Sequence, residues 1–457
     1  MKVLFQIVLH TGAILALLGA ANAQTQSEPS PLTLEQAVQI AMEQNPQRKA
    51  ALADSRGASA DLGTARSFLL PRLTFSEAAT RGNDPVYVFG SKLRQQRFTA
   101  SDFALSQLNT PAPYDNFSTR LGLTWSLFDS FASWHNLRRA KDMTDAANRQ
   151  VDRTAQEIVF RAVTTYYNLL LAAKQAEVAE ESVKTAQAIT ERSQSRFDSG
   201  LVVESDLLTA KVRLAQRKME LIRASNDLEL ARTQLNVALG VPVDSSFQLS
   251  DVLAERAIPL PELAEAEKQT LANRPDLKRI AAEESAQRES VAAAKSSFGP
   301  RVNGFADWEL DNPTFVSGGG NNWLAGVELQ VDIYQGGAKR AELSRQRALH
   351  QKMIAIRQAA TDGIRLDVRR AYYEVNASRQ QIEVARATMA HALESLRINR
   401  DRYESGVITI TDLLSAEDDN RHSQTSYWEA VYRLHASHAN LELAEGTLNP
   451  QSPVVMP

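Results

Sequence analysis

Two stretches of this chain read alike at a fixed distance. Arg196, Ser199, Gly200, Asp206, Leu207, Leu208 and Ala210 recur as Arg402, Ser405, Gly406, Asp412, Leu413, Leu414 and Ala416, an offset of 402 − 196 = 206. These are seven identities in the fifteen positions 196–210. The same offset carries Tyr166-Tyr167 onto Tyr372-Tyr373 and Gly240 onto Gly446. Nearer the start of each half the offset becomes 275 − 46 = 229, pairing Pro46 with Pro275 and Pro71 with Pro300. The difference, 229 − 206 = 23 residues, places an excess between Pro71 and Leu121. A fold made of one unit written twice follows. The halves run over about 32–240 and 262–446. A linker, 241–261, carries Pro242, Pro259 and Pro261, and a tail follows over 447–457.

Each half predicts helix, strand, loop, strand, a very long helix, a turn and a returning helix. No proline occurs between Pro113 and Pro242 or between Pro313 and Pro450, and Gly200 is the only glycine between Gly122 and Gly240. Long helices are therefore expected over about 135–198 and 338–404, each roughly 100 Å at 1.5 Å per residue. Helices of that length need a partner alongside. Gly200 and Gly406 suit the helix-ending residue with positive φ. Ser205 and Thr411, each followed by an aspartate, suit the start of the returning helix. On the returning helices Leu207, Leu214, Leu221, Leu228 and Leu235 recur every seven residues, with Ala210, Arg217, Ala224, Ala231 and Ala238 three beyond them. The second copy has Leu413, Asn420, Tyr427, Leu434 and Leu441, with Ala416, Ser423, Ala430, Ser437 and Ala444. Such a seam keeps one face on a neighbouring helix, and small companions let backbones approach.

The strands are expected over about 72–82, 117–128, 301–310 and 322–334. Trp323, Ala325, Val327, Leu329, Val331 and Ile333 share one face, against Leu324, Gly326, Glu328, Gln330 and Asp332. Phe117, Thr119, Leu121, Leu123, Trp125 and Leu127 alternate in the same way with Ser118, Arg120, Gly122, Thr124 and Ser126. Segments of about ten alternating residues fit membrane β-strands, apolar toward lipid and polar toward a lumen. Half-buried strands of a soluble sheet alternate too. The amino terminus favours the membrane reading. Lys2, an apolar stretch from Val3 to Leu18 and Ala21-Asn22-Ala23 form an export signal over residues 1–23. After it, no segment reaches the length of an apolar membrane helix. Four strands cannot close a barrel, so oligomerisation is expected.

Composition narrows the chemistry. With 51 Lys+Arg against 54 Asp+Glu the formal net charge is −3, which gives no reason to expect nucleic acid as a partner. The absence of cysteine excludes disulfides, thiolate metal sites, a cysteine nucleophile and a lipid-modified amino-terminal cysteine. No Ser/His/Asp, metal or paired-carboxylate constellation emerges, so neither an enzyme nor a cofactor is expected. His435 and His438 stand i,i+3 on a helix, and they read as solvated histidines rather than as a metal site. Glu417, Asp418 and Asp419 read as a solvated face. The long first loop, with Lys92, Arg94 and Arg97, reads as facing outward.

A duplicated chain with two strands and a long helical hairpin per half resembles the TolC-like outer-membrane factors. The paired tips, Ser199-Gly200-Leu201 with Ser205 to Leu208 and Ser405-Gly406-Val407 with Thr411 to Leu414, carry the likeness. So do the strand-to-helix corners Leu127-Phe128-Asp129 and Ile333 to Gly337. The resemblance implies a mostly α chain that forms a homotrimer with a shared twelve-stranded β-barrel in the outer membrane of a Gram-negative envelope. A tunnel of long helical hairpins would cross the periplasm. Its expected partners are a periplasmic adaptor (membrane fusion protein), an inner-membrane RND or ABC transporter, and outer-membrane lipid. The expected function is a passive exit duct for efflux or type I secretion. The rival expectation is a soluble periplasmic coiled-coil scaffold or adaptor.

Site candidates sit at the tips. Asp206 and Asp412 would form a ring of six carboxylates in a trimer, attracting cations, or would complement the helix N-terminal dipoles. By resemblance, Tyr403 and Asp412 belong to a constricting network. Ile408 and Ser415 stand where family members carry a basic and an acidic residue, so Arg196, Arg402 or Arg400 would have to supply the cation. Gly200, Leu201, Gly406 and Val407 would be the adaptor contacts.

Overall fold

A computed structural model describes residues 31–315 and 318–456. The export signal lies outside the described residues. The chain runs β1 (Pro31–Leu32), α1 (Leu34–Gln44), α2 (Pro46–Ser67), β2 (Arg72–Gly82), α3 (Pro85–Arg94), a 3-10 turn (Ala100–Phe103), α4 (Leu105–Asn109), β3 (Tyr114–Phe128), α5 (Ala132–Asp198) and α6 (Glu204–Leu239). It continues through β4 (Gln248–Leu249), α7 (Leu263–Asn273), α8 (Pro275–Ser296), β5 (Arg301–Asn312), β6 (Gly320–Gln330), α9 (Ala338–Glu404) and α10 (Ile410–Glu445). The two long helices have 67 residues each and the two returning helices 36 each. No described helix is long and apolar enough to cross a membrane.

β2, β3, β5 and β6 form one antiparallel sheet in that order. The helices that lead into and out of the strands keep the same order, with α2 beside α5, α5 beside α8 and α8 beside α9. The second unit is thus the first one displaced sideways, and the seam between β3 and β5 joins the units. Register brings Phe75, Leu121, Trp308 and Trp323 into one row across all four strands, with Leu73, Leu123, Ala306 and Ala325 in the row on the helix side. Rows on the other face read Thr74, Gly122, Asp307, Leu324 and then Ser76, Arg120, Glu309, Asn322. The alternation read along single strands is therefore a property of the whole sheet: one face apolar, the other polar.

The last strand ends at Gln330, not near 334 as expected. Its partner at that point is Arg301, and the residue before Arg301 is Pro300. Proline has no N–H to extend the ladder. β3, the second of the four expected strands, starts at Tyr114, three residues earlier than expected.

The main core lies midway along α5, where Ile158 to Ala172 pack against α1, the ends of α6 and α10, and the tail residues Leu448, Val454 and Val455. Tyr166 is fully buried there, its hydroxyl 2.7 Å from Asp251 Oδ2 and 2.9 Å from the Leu32 carbonyl oxygen. His435 and His438 belong to the same region and are buried, not solvated. His435 stacks on Tyr167 at 4.1 Å, and its Nε2 is 2.8 Å from the Ala254 carbonyl oxygen. Burial pushes the His438 imidazole down to about 4, with Arg379 adding to the effect, so it is neutral at physiological pH. Among the described residues no group of three or more side chains could hold a metal ion.

Candidate functional site at the hairpin tips

Both hairpins turn by the same backbone device. Gly200 and Gly406 take φ of 69° and 73°. Gly200 N–H donates to the Phe197 carbonyl at 2.9 Å and Leu201 N–H to the Arg196 carbonyl at 2.8 Å. The second tip repeats this with Gly406 on Tyr403 at 3.0 Å and Val407 on Arg402 at 2.9 Å. These bonds satisfy the last carbonyls of α5 and α9. They leave Leu201 and Val407 exposed, 68% and 64%, at the end of the molecule.

The returning helices start differently. Thr409 caps α10: its hydroxyl oxygen accepts from Asp412 N–H at 3.2 Å, and Asp412 Oδ2 accepts from Thr409 N–H at 3.0 Å. The Thr409 hydroxyl also donates to Asp412 Oδ2 at 2.7 Å. The Thr409 hydroxyl, then its N–H, hold the Asp412 carboxyl below the usual carboxylate range. At α6 the equivalent cap position is Val203, which has no side-chain oxygen to offer. Asp206 lies in the first turn of α6, half-buried.

Within the described chain Tyr403 and Asp412 share no hydrogen bond, and Tyr403 has other partners. It is buried between the two hairpins, 3.4 Å from Ser193 Oγ. The Arg196 guanidinium lies over its ring at 5.1 Å and donates to its carbonyl oxygen at 2.9 Å. An ion pair between Arg192 and Glu404 adds a second link between the tips. Ile189 and Ala210 of the first hairpin share one apolar cluster with Tyr403, Ile410, Leu413, Leu414 and Ala416 of the second. The structure thus brings Arg196 and Tyr403 together, leaves Arg402 and Asp412 exposed, and places Asp206 apart.

Three turns into the returning helices lies a group that sequence reasoning misplaced. Glu417 and Asp418 do not sit on a solvated face. Arg217 of α6 is 1% exposed, and it donates to Glu417 Oε2 at 3.0 Å, to Glu220 Oε2 at 2.8 Å and to Asp418. Arg213 pairs with Asp418 at 2.9 Å, and Arg421 lies 3.7 Å from both Glu220 and Asp418. Burial opposes ionisation of Asp418, but the Arg217, Arg213 and Arg421 charges outweigh it and hold its carboxyl below the usual range. Burial likewise opposes the Arg217 charge, yet its carboxylate partners leave it more firmly protonated than a free arginine. The one available signal was Arg217 itself, a long cation in a file of alanines.

The residues of the described tips offer no nucleophile paired with a base. They offer exposed apolar ends, carboxylates at helix starts and charged links between the two hairpins. The outer membrane efflux protein family model matches residues 37–241 and 267–447, one segment per repeat. Protein CyaE of Bordetella pertussis is 24% identical over 85% of this chain and 78% of its own length. Alkaline protease secretion protein AprF of Pseudomonas aeruginosa is 23% identical over 95% and 88%. Outer membrane protein TolC of Escherichia coli is 22% identical over 95% and 86%. Among solved structures, the CmeC outer membrane channel of Campylobacter jejuni superposes with a TM-score of 0.77 at 19% identity, covering 95% of this chain and 92% of that one. The open-state MtrE outer membrane channel of Neisseria gonorrhoeae does so with 0.75 at 18%, covering 92% and 90%. The chain belongs to the outer membrane efflux protein family and is a TolC-like channel protein of the outer membrane.

Proposed function

We propose that three copies of this chain form a passive exit duct, whose barrel is shared and whose helical tunnel receives substrate from an inner-membrane transporter through a periplasmic adaptor. The sheet carries this reading. Its apolar face is exposed on every strand, with Phe75, Leu121, Trp125, Trp308, Trp323, Val327 and Leu329 all uncovered. Its edges, β2 and β6, are open. Within the chain the second strand of one unit pairs with the first strand of the next, β3 with β5. One further step of the same displacement pairs β6 with β2 of another copy. Such a head-to-tail joint closes into a ring and leaves no edge in lipid. The polar face then lines the lumen.

A soluble scaffold has no use for that exposed apolar face. The discriminating variant is Ala325→Arg, on the apolar face at the middle of β6. A charge there costs ~2–4 kcal/mol near mid-membrane, so membrane fractionation should show loss of the assembled form. Normal assembly of this variant would refute the barrel.

The tips are the inner end of the duct in this reading. Leu201 and Val407, presented by Gly200 and Gly406, are the adaptor contacts. Asp206 and Asp412 supply the negative field at the constriction, and Arg196 on Tyr403 holds the two hairpins of one chain together. Asp206→Ala combined with Asp412→Ala should lower cation preference in single-channel recordings. Unchanged selectivity would leave both residues as helix-start carboxylates only. The relative named for alkaline protease secretion supports an exported protein as cargo.

A further inference from the structure

The excess in the first unit is a folded body, and it sits on the polar face of the sheet. Residues 83–113 join β2 to β3 at the end away from the long helices, where the second unit uses only 313–319. Asp84 caps α3 by accepting from Tyr87 N–H at 2.8 Å. Phe98 packs edge-on against Phe89 at 4.7 Å and Phe103 at 5.1 Å, and Lys92 pairs with Asp102 at 2.7 Å.

Every anchor of this body falls on polar-face positions or on backbone at the strand ends. Gln95 Nε2 donates to Asn116 Oδ1 at 2.8 Å and to the Asp115 carbonyl at 2.9 Å, while Gln95 Oε1 accepts from the Tyr114 hydroxyl at 2.7 Å. Asn116 Nδ2 donates onward to Asp311 Oδ1 at 2.6 Å. The Arg94 carbonyl is one of the last in α3, which have no partner inside a helix. It accepts from Asn322 Nδ2 at 3.1 Å. The Arg94 side chain reaches Glu309 at 3.6 Å. Glu309 and Asn322 share a polar-face row, and Asp311 is paired with Gly320 in the next row outward. A Cβ at Gly320 would overlap the Arg94 carbonyl oxygen, so only glycine allows this approach. Asp311, Asn116 and Gln95 are buried as a result. The loop therefore folds as a cap over the polar face at the strand ends away from the long helices.

We propose that residues 83–113 form a plug at the outer mouth of the duct that sets the size of what passes. This rests on the shared-barrel reading. A ring of twelve tilted strands about 4.7 Å apart has a backbone radius of roughly 12 Å. A helix with its side chains is about 10 Å across, and three side by side need a circle roughly 22 Å wide. Three plugs on the inner wall therefore occupy most of the mouth. The anchors are polar contacts at a few positions, so the body can be released without unfolding the sheet.

The test uses the full-length protein in planar bilayers. Replacing residues 83–113 with a two-residue turn should raise single-channel conductance roughly twofold or more. An assembled deletion variant with unchanged conductance would overturn the plug and leave the duct standing. Failure of the unaltered protein to form outer-membrane oligomers would instead overturn the duct. A second measurement covers a deletion that fails to assemble. The chain has no native cysteine, so Ser118→Cys, on the lumen face just inside the plug, is a single label site. Labelling by a bulky maleimide added outside intact cells should accelerate about tenfold when Gln95→Ala and Arg94→Ala loosen the anchors. Equal rates with and without these changes would overturn the proposal.

Discussion

The two units turn from strand into long helix at matching positions with different residues. In the second unit Gly336 and Gly337 take φ of 60° and 86°. In the first, Ser130 and Phe131 take 56° and 70°. Glycine adopts this region freely, whereas other residues are strained there by about 1–2 kcal/mol each. The first unit tolerates the strain because its neighbours hold the corner. Ser130 Oγ donates to the Pro300 carbonyl at 2.7 Å, and the Phe131 ring packs on Phe128 at 5.6 Å. The corner is therefore imposed by the passage from strand to long helix, and local preference follows where it can. Other paired positions diverge in the same manner. Arg217 corresponds to Ser423, Val203 to Thr409, and Leu239 to Glu445. Each pair sets a comfortable residue against one that needs its surroundings.

The largest expected difference is at Arg217. Arg217→Ala leaves Glu417 buried without its cation and should lower stability by about 3–5 kcal/mol. Ser423→Ala, at the matching position, should change it by less than about 1 kcal/mol. Thermal melts of the purified assembly compare the two, and equal shifts would show that the charge cluster is not what joins α6 to α10. Next comes Glu445. Burial, with nearby Glu442, raises its carboxyl from 4.5 to about 7. The unfolded chain ionises there first, so stability falls as pH rises from about 4.5 to about 7 and is flat above. Glu445→Leu, which copies Leu239, should raise stability by on the order of 2–3 kcal/mol above pH 7 and by little near pH 4. A pH-independent gain would mean that packing, not ionisation, distinguishes the two sites. The smallest effect is at the corners. Gly337→Ala should cost about 1–2 kcal/mol. Phe131→Gly should gain less than that, since glycine also frees the unfolded chain. A cost at Phe131 as large as at Gly337 would show that the ring contact outweighs the strain.

The sequence was most legible where one pattern runs long. The proline-free stretches and the tip glycines located α5 and α9 to within a few residues of their ends. Alternation located the strands, because the apolar and polar faces of the sheet follow the same period as the pleat. Residues 83–113 were opaque. α3 has ten residues and α4 five, too short for a helical period to emerge, and the anchors are amides from distant strands. The charges near the tips misled for another reason. Glu417 and Asp418 look solvated along their own helix, and their partners lie across the interface: Arg217, 200 residues away, for Glu417, and Arg217 with Arg213 for Asp418. His435 was hidden likewise, since Tyr167 and Ala254 cover it from elsewhere in the chain.

The open edges at β2 and β6 bear on inheritance as well as on assembly. In the three-membered ring proposed above, a chain that cannot offer one edge spoils the joint it shares with a neighbour and leaves that neighbour's edge unpaired. It also strands partners that are themselves sound, because no subset of the ring closes in lipid. Alleles that damage an edge while preserving the helical tunnel should therefore be dominant when expressed beside the intact gene. Alleles that prevent folding altogether should be recessive, because an unfolded chain never reaches the ring.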